Sequence, residues 1–433
     1  MAFVRRTVAV AGSVVVGLVG VPALDGVASA VPIECGSIIT QDTVLTEDVG
    51  PCAGDGLVIV ANNVTLDLAG YQVFGTDDQG NSAGILLQNV RGVRVTLGTV
   101  REFDAGIVVA RGRNNTIQYM TVHDNHSEQF VAESPEQALL GDGIVVVSSS
   151  YNRINRNLVR DNGPFSGITV LTETDGDGVS GPLPTGNLIS NNVVTHNAVP
   201  DVCPSSGEFF GGPCTPGEAV FNENVGIRVE GPGATFTTIA RNTVTASGRD
   251  GVSVLNTVFG DTPPGDFSPP NTDTSITANN VSGNGVAVVI TDPEVGQLGG
   301  DGIFNRCYPG SLPQGCPTRT TIRGNTVNDN PAHGINLGPT DNNTVIGNTA
   351  LRNGFGTMTS YASDPPYTDG FDENFRQPCD NNTWLDNRFG TVNQPCVLGH
   401  SAGDGVSSAV IPAGSEGGYP GPVPLRTSGR ASI

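Results

Sequence analysis

One repeated pattern limits this chain more than any other feature. An apolar residue is followed by Asn three positions later and by a second apolar residue five positions later. Ile154, Asn157 and Val159 form one copy. The others are Ile189, Asn192, Val194; Ile239, Asn242, Val244; Ile276, Asn279, Val281; Ile322, Asn325, Val327; Val345, Asn348, Ala350; and Trp384, Asn387, Phe389. A second polar position follows eight residues after Ile117 and after every anchor above but Trp384, as Asn125, Asn162, Asn197, Ser247, Asn284, Asn330 and Asn353. Then comes a glycine with a short apolar run, as in Gly167-Ile168, Gly226-Ile227, Gly251-Val252 and Gly334-Ile335.

The shortest interval between anchors is 23 residues, from Ile322 to Val345, and longer intervals are that unit plus insertions. A fixed period of this size signals a solenoid. Each unit carries three short β-branched runs separated by Asn and Gly turns, too short for helices and without helical periodicity. One unit cannot bury its own apolar residues, whereas stacked units bury Ile over Ile and Val over Val. Strands stack at about 4.8 Å, so Asn side chains of successive turns come within hydrogen-bonding distance and predict two ladders. Val64 to Leu68, Val93 to Val100 and Ile117 to Val122 continue the strands, with Asp67, Gly98 and Met120 expected in place of the ladder Asn.

These N-x-V units, with openings such as Asp142-Gly143-Ile144 and Asp250-Gly251-Val252, resemble the right-handed parallel β-helix proteins of the pectate-lyase-like group. The resemblance implies an all-β, single-stranded right-handed parallel β-helix, here of about 10–11 turns. That group contains polysaccharide lyases, glycoside hydrolases, uronate epimerases and proteins without known chemistry. The expected organisation is a signal peptide over 1–30, an N-terminal cap and first turn over 31–62, the β-helix with loop insertions over 63–398, and a flexible tail over 399–433. Arg5 and Arg6, the apolar run Thr7 to Leu24 and the small residues Ala28-Ser29-Ala30 read as a secretory signal. A secreted, extracellular monomer is the expectation, with no membrane attachment after cleavage.

Charge and cysteines point the same way. Removing Arg5, Arg6 and Asp25 takes the formal charge from -21 to -22. Such acidity argues against nucleic acid as a partner, which needs clustered basic residues. There is no lysine, so lysine-based catalysis is excluded. The eight cysteines fall into four close pairs, Cys35 with Cys52, Cys203 with Cys214, Cys307 with Cys316 and Cys379 with Cys396, each expected to staple a local loop. No short C-x-x-C pair suggests a zinc site.

The insertions fall on both flanks of one sheet, the one opened by Gly-Ile. Residues 126–141, 198–225, 285–300 and 354–379 precede its strands, and 171–184, 256–271 and 305–317 follow them. Loops stacked along both sides of a face wall a groove, and loops on a rigid scaffold commonly carry function. Alternation puts Ile227 and Val229 inside and Arg228 and Glu230 outside, followed on later turns by Arg306 and Asn336. At the corner before this sheet stand Asp250, Asp301 and His333. Two carboxylates and an imidazole about 5 Å apart in a stack suit general acid and base work or a divalent cation. The catalytic candidates are therefore Asp250, Asp301, His333 and Arg228, with Glu230, Arg306 and Asn336 as substrate contacts. Asp before Gly is also ordinary turn chemistry. A second register, with Val286 to Ile290 as the first strand, puts Asp301 in a loop.

Asp124, Asp161 and His196, with His123, Arg160 and His126 nearby, form a second candidate column. Asp175 and Asp177 make calcium the one candidate cofactor, although their spacing matches no full binding loop. No nucleophile elbow is present. The polymer class expected as partner is a polysaccharide, with a lyase, epimerase or hydrolase as the enzymic reading and a non-catalytic glycan-binding or structural surface protein as the alternative.

Overall fold

The computed structural model describes residues 33–76, 82–127, 141–175, 178–202, 208–209, 212–213, 216–217, 219–220, 224–256, 269–286, 299–307, 316–355, 367–372, 378–398 and 409–410. The expected signal peptide and the Cys203–Cys214 pair lie outside them. The described chain is a right-handed parallel β-helix whose first sheet has 13 strands, from Ser37–Ile39 to Ala409–Val410. Eleven turns carry strands on all sides, matching the expected count. The strand Ala409–Val410 pairs in parallel with Thr391–Val392, so stacking runs past residue 398 into the stretch expected to be a tail. No helix of the described residues is long and apolar enough to cross a membrane.

The anchor alignment is the register of the second sheet. Ile117, Ile154, Ile189, Ile239, Ile276, Ile322, Val345 and Trp384 stand in one column. Val159, Val194, Val244, Val281, Val327, Ala350 and Phe389 form the matching column of the third. Together with Ile227, Val252, Ile303 and their neighbours they fill one continuous core along the bore. Each such side chain contributes about 1.5–3 kcal/mol by burial.

Between the anchor and the ladder Asn the chain turns through the left-handed region, at Arg156 (φ 57), Asn191 (φ 55), Arg241 (φ 55) and Ala278 (φ 54). This costs a non-glycine residue about 1–2 kcal/mol. The turn aims the next Asn inward, and the ladder offsets the strain. Asn192 Oδ1 accepts both the backbone N–H (2.9 Å) and the side-chain amide (3.0 Å) of Asn157, and the pattern repeats through Asn242, Asn279, Asn325, Asn348 and Asn387. The second ladder runs Asn125, Asn162, Asn197 and, after Ser247, Asn284, Asn330, Asn353.

A third column at the remaining corner was not read from the sequence. It holds Asn115, Asn152 and Asn187, then Asn343 and Asn382 after three Thr positions. Where Gly98 and Met120 stand in register at the ladder position, the strands Arg94–Arg101 and Thr116–His123 run through the bend. Asp67 is not at that position: Leu66, not Val64, pairs with Val95, so that turn carries two extra residues and Leu68 packs against Gly98.

Disulfides Cys35–Cys52 and Cys379–Cys396 pin the two ends as expected. Cys316 is also disulfide-bonded. The Cys307 backbone lies in strand Ile303–Cys307.

Candidate functional site

The outward column of the first sheet changes character along the helix. Leu86, Val108 and Val145 lead in register to Thr169, Arg228, Ser253, Phe304, Asn336 and Phe371. The early part is an apolar layer buried with Ala83, Ala105 and Val147. From Thr169 onward polar side chains join Phe304 and Phe371 on the face, which is still buried.

Arg228 and Glu230 point away from the bore, as alternation predicts, with Ile227 and Val229 in the core. Both are almost wholly buried and form a salt bridge, Nη2 to Oε1, of 2.5 Å. The guanidinium carbon lies 4.3 Å from the centre of the Phe165 ring. Asp142, two turns earlier, belongs to the same cluster. Thr169 Oγ1 donates to its Oδ1 at 2.5 Å. Burial pushes the Asp142 carboxyl up to about 7, against the hydrogen bond from Thr169 and the charge of Arg228, while the charge of Glu230 adds to the rise. Loss of hydration outweighs the favourable contacts. In the sequence Asp142 is read only as one of the Asp-Gly openings of the repeat. The signal for it was its corner position two turns before an outward-facing Arg.

Asp250, Asp301 and His333 do stand on successive turns. Ile303–Cys307 pairs with Val252–Asn256, which places Asp301 at the corner and removes the alternative register. The Asp301 backbone N–H donates to Asp250 Oδ1 (2.9 Å), the His333 N–H to Asp301 Oδ1 (2.7 Å), and the Thr368 N–H to His333 Nδ1 (3.0 Å). Asn336 Nδ2 donates to the other oxygen of Asp301 at 2.9 Å. His333 thus accepts at Nδ1 and carries its ring hydrogen on Nε2 when neutral. It stacks on Phe371 (4.1 Å) and meets Tyr367 edge-on (4.9 Å). Asp55 accepts the Ala83 N–H in the same manner near the N-terminal end, so joining turns at this corner is a repeated structural duty of the column. The Arg306 backbone pairs with Leu255, and its side chain lies outside the described residues.

The second candidate column is accounted for by backbone geometry. Asp124 (φ 52), Asp161 (φ 54) and His196 (φ 54) occupy a left-handed corner, where Asp and His are enriched. Their side chains pair with immediate neighbours, His123 with Asp124 and Arg160 with Asp161. Among the described residues no group of three or more His, Cys, Asp or Glu is arranged to hold a metal ion. Asp177 lies outside them.

One distribution was missed altogether from the sequence. Ten ionisable side chains are buried among the described residues: Asp104, Asp142, Glu173, Arg228, Glu230, Asp250, Asp301, His333, Asp369 and Asp372. Each lies in a first-sheet strand or within two residues of one. Glu173 takes a bidentate ion pair from Arg111, at 2.7 and 2.6 Å. Asp369 and Asp372 have a structural use. In the Asn-to-Asn contacts the amide donates toward the C-terminal end, its other hydrogen going to a carbonyl of the preceding turn, and the last donors of two ladders meet these carboxylates, Asn353 at 2.8 Å from Asp369 and Asn382 at 3.2 Å from Asp372.

No curated protein matches this chain in sequence. Among solved structures, the Dettilon tailspike protein is similar at 17% identity and a TM-score of 0.46, over 82% of this chain and 53% of its own. The chain thus spans about half the length of that protein. A pectate lyase is similar at 13% identity and a TM-score of 0.42, over 85% of this chain and 82% of its own. The A-module of a mannuronan C-5 epimerase of Azotobacter vinelandii is similar at 14% identity and a TM-score of 0.38, over 74% of each chain. Likenesses of this size say nothing of activity. The family model described as "Right handed beta helix region" matches residues 53–257 and 269–409, most of the chain. With the register and ladders above, this protein belongs to the right-handed β-helix family.

Proposed function

We propose that this is a secreted carbohydrate-active protein that works on an extracellular polysaccharide, as a lyase, epimerase or hydrolase, along the outer face of its first sheet. The observation that carries the reading is that, among the described residues, all ten buried ionisable groups are confined to that sheet and its edges. The interior polar positions of the other two sheets are neutral Asn, Ser and Thr, which join turns without the cost of burying charge. Corner joining and ladder ends use some of the ten. They leave unexplained a buried Arg–Glu pair beside a carboxyl held near neutrality, and perturbed groups of this kind cluster at functional sites. The disulfides and the sequence signal for export support an oxidising, extracellular setting.

A second reading is favoured by the corner column. Both Asp301 oxygens and His333 Nδ1 are already engaged by neighbours, which suits a surface that binds glycans without chemistry. The mature protein incubated with a polysaccharide panel, followed by ultraviolet absorbance of unsaturated products and by reducing ends, separates the two. Product in either channel supports the enzyme. Silence in both with retardation on one polymer in affinity electrophoresis supports the binder, and silence in all three defeats both.

A further inference from the structure

The outer face of the second sheet carries a charge pattern at odds with the rest of the chain. Each turn crosses this face from one corner to the next, and parallel pairing aligns residues 91–97, 113–119, 150–156, 185–191 and 235–241. These stretches hold six arginines, Arg91, Arg94, Arg113, Arg153, Arg156 and Arg241, and no Asp or Glu. The matching stretches of the following turns, 272–278, 318–324, 341–347 and 380–386, hold four Asp and two Arg. In a chain of formal charge -21 the early turns therefore form a confined basic patch. All six arginines are exposed. Among the described residues none of them is ion-paired, whereas Arg101, Arg111, Arg160, Arg319 and Arg352 each hold an Asp or Glu.

We infer that this face binds an acidic polysaccharide laid along the helix axis, on a surface separate from the outer face of the first sheet. The kind of polymer rests on the reading above; the anion-binding surface does not. Arg91 and Arg113 are partners on adjacent turns, about 5 Å apart. Arg94 and Arg153 share a column with Thr116 between them, about 10 Å apart. The five turns together span about 20 Å. An extended uronate chain presents carboxylates at a comparable interval, and a guanidinium meets a carboxylate as a two-pronged fork. Between the arginines the outward positions are neutral donors and acceptors, Thr116, Gln118, Asn155 and Thr238, which suit sugar hydroxyls.

Other polyanions fit this face less well. Tyr119 and Tyr151 are exposed at its two margins, but Arg156 and Arg113 lie 5.6 and 4.6 Å from their ring centres. Bases stacking on aromatic rings, the added grip of single-stranded nucleic acid, would compete with those guanidinium groups. A bilayer is wider than the patch and would also meet the Asp-bearing turns, which an anionic surface repels. A single chain can follow the arginines alone.

The test is retention of the full mature protein in affinity electrophoresis on polygalacturonate and alginate. Methyl-esterified polygalacturonate is the uncharged counterpart, and single-stranded DNA and phosphatidylserine vesicles are the competing polyanions. Wild type should be retained by a uronate polymer, released as salt rises, and ignored by the ester. Arg94→Gln with Arg113→Gln and Arg153→Gln should weaken retention about tenfold. Arg160→Gln with Arg319→Gln and Arg352→Gln makes the same change in net charge outside the patch and should leave retention within about twofold. If the first variant is unstable, Arg94→Gln compared with Arg352→Gln decides. Equal weakening in both variants, or none in either, overturns the surface and leaves the polysaccharide reading standing. No retention on any uronate polymer overturns the surface as well. Tighter binding to DNA or vesicles, lost in the first variant, overturns the choice of polymer. Cleavage products measured alongside report on the first sheet and do not depend on this result.

Discussion

Asp142 makes a prediction that needs no substrate. Its carboxyl goes from an ordinary 3.8 to about 7 in the folded chain, and burial is the first cause. A carboxyl raised by folding binds its proton more tightly in the native state. Its contribution to stability is whole below pH about 4 and is lost as pH rises to and through about 7. Each pKa unit corresponds to about 1.4 kcal/mol, so complete loss approaches about 4 kcal/mol, and the part lost between about pH 5 and about pH 8 is about 3 kcal/mol. Asn in place of Asp142 mimics the protonated form at every pH. Urea unfolding of wild type and Asp142→Asn at those two pH values measures the difference. The two proteins should be close in stability at the lower pH, and wild type should be weaker by about 3 kcal/mol at the higher. Burial also raises Asp369, with the same sign, but that group is present in both proteins and cancels. Equal pH dependence in the two proteins would refute the claim that burial holds Asp142 protonated.

Three further expectations follow from the scaffold. Asn279→Ala removes an acceptor used by both the N–H and the amide of Asn242 and leaves them buried; a loss of about 2–4 kcal/mol is expected in urea unfolding, and a loss under 1 kcal/mol would contradict the ladder's role. Gly251→Ala places a Cβ 2.3 Å from Val281 Cγ1 and 2.7 Å from the Gly302 carbonyl oxygen. The turns must part there, so soluble yield and thermal midpoint should both fall, and an unchanged midpoint would show that the stack can yield. Cys379→Ser with Cys396→Ser opens a loop of sequence separation 17. It should cost about 3 kcal/mol by the chain-entropy argument, and limited proteolysis should cut first at the C-terminal end.

The turns were legible because a solenoid repeats its constraints. Ile, Asn and Val recur at fixed offsets, and each offset maps to one place in the turn, so Ile154 over Ile189 and Asn157 over Asn192 could be read without coordinates. The third ladder was harder to see because Thr237, Thr274 and Thr320 interrupt its Asn run. Asp67 was misplaced because two extra residues in one bend shift the register without altering composition. The site was legible only as directions. That Arg228 faces outward follows from alternation. That it folds over Phe165 and pairs with Glu230 depends on side-chain paths between turns, which periodicity does not encode. Asp142 illustrates the limit: the dipeptide Asp-Gly is the same at Asp55, Asp142, Asp250 and Asp301, and only their partners separate them, a Thr169 hydroxyl at Asp142 and a backbone N–H of the next turn at the others.

The confinement of buried charge to one sheet has a cause in the architecture. From Ile154 onward, the corner between the second and third sheets is closed by a left-handed residue and an inward Asn in a fixed number of residues, which leaves no room for insertions. The insertions therefore gather on the flanks of the first sheet, and two of them add antiparallel pairs of their own, Thr174–Asp175 with Gly178–Val179 and Asp201–Val202 with Ala219–Val220. A β-sheet face flanked in this way can bury groups on its outside, which a bare solenoid face cannot. Apolar side chains dominate that space in the early turns, at Val108, Val145 and Val147, and most of the ionisable ones follow from Glu173 onward. The character of this outer face can thus change with the outward residues of one sheet, while the Ile, Val and Asn columns that hold the turns together remain untouched.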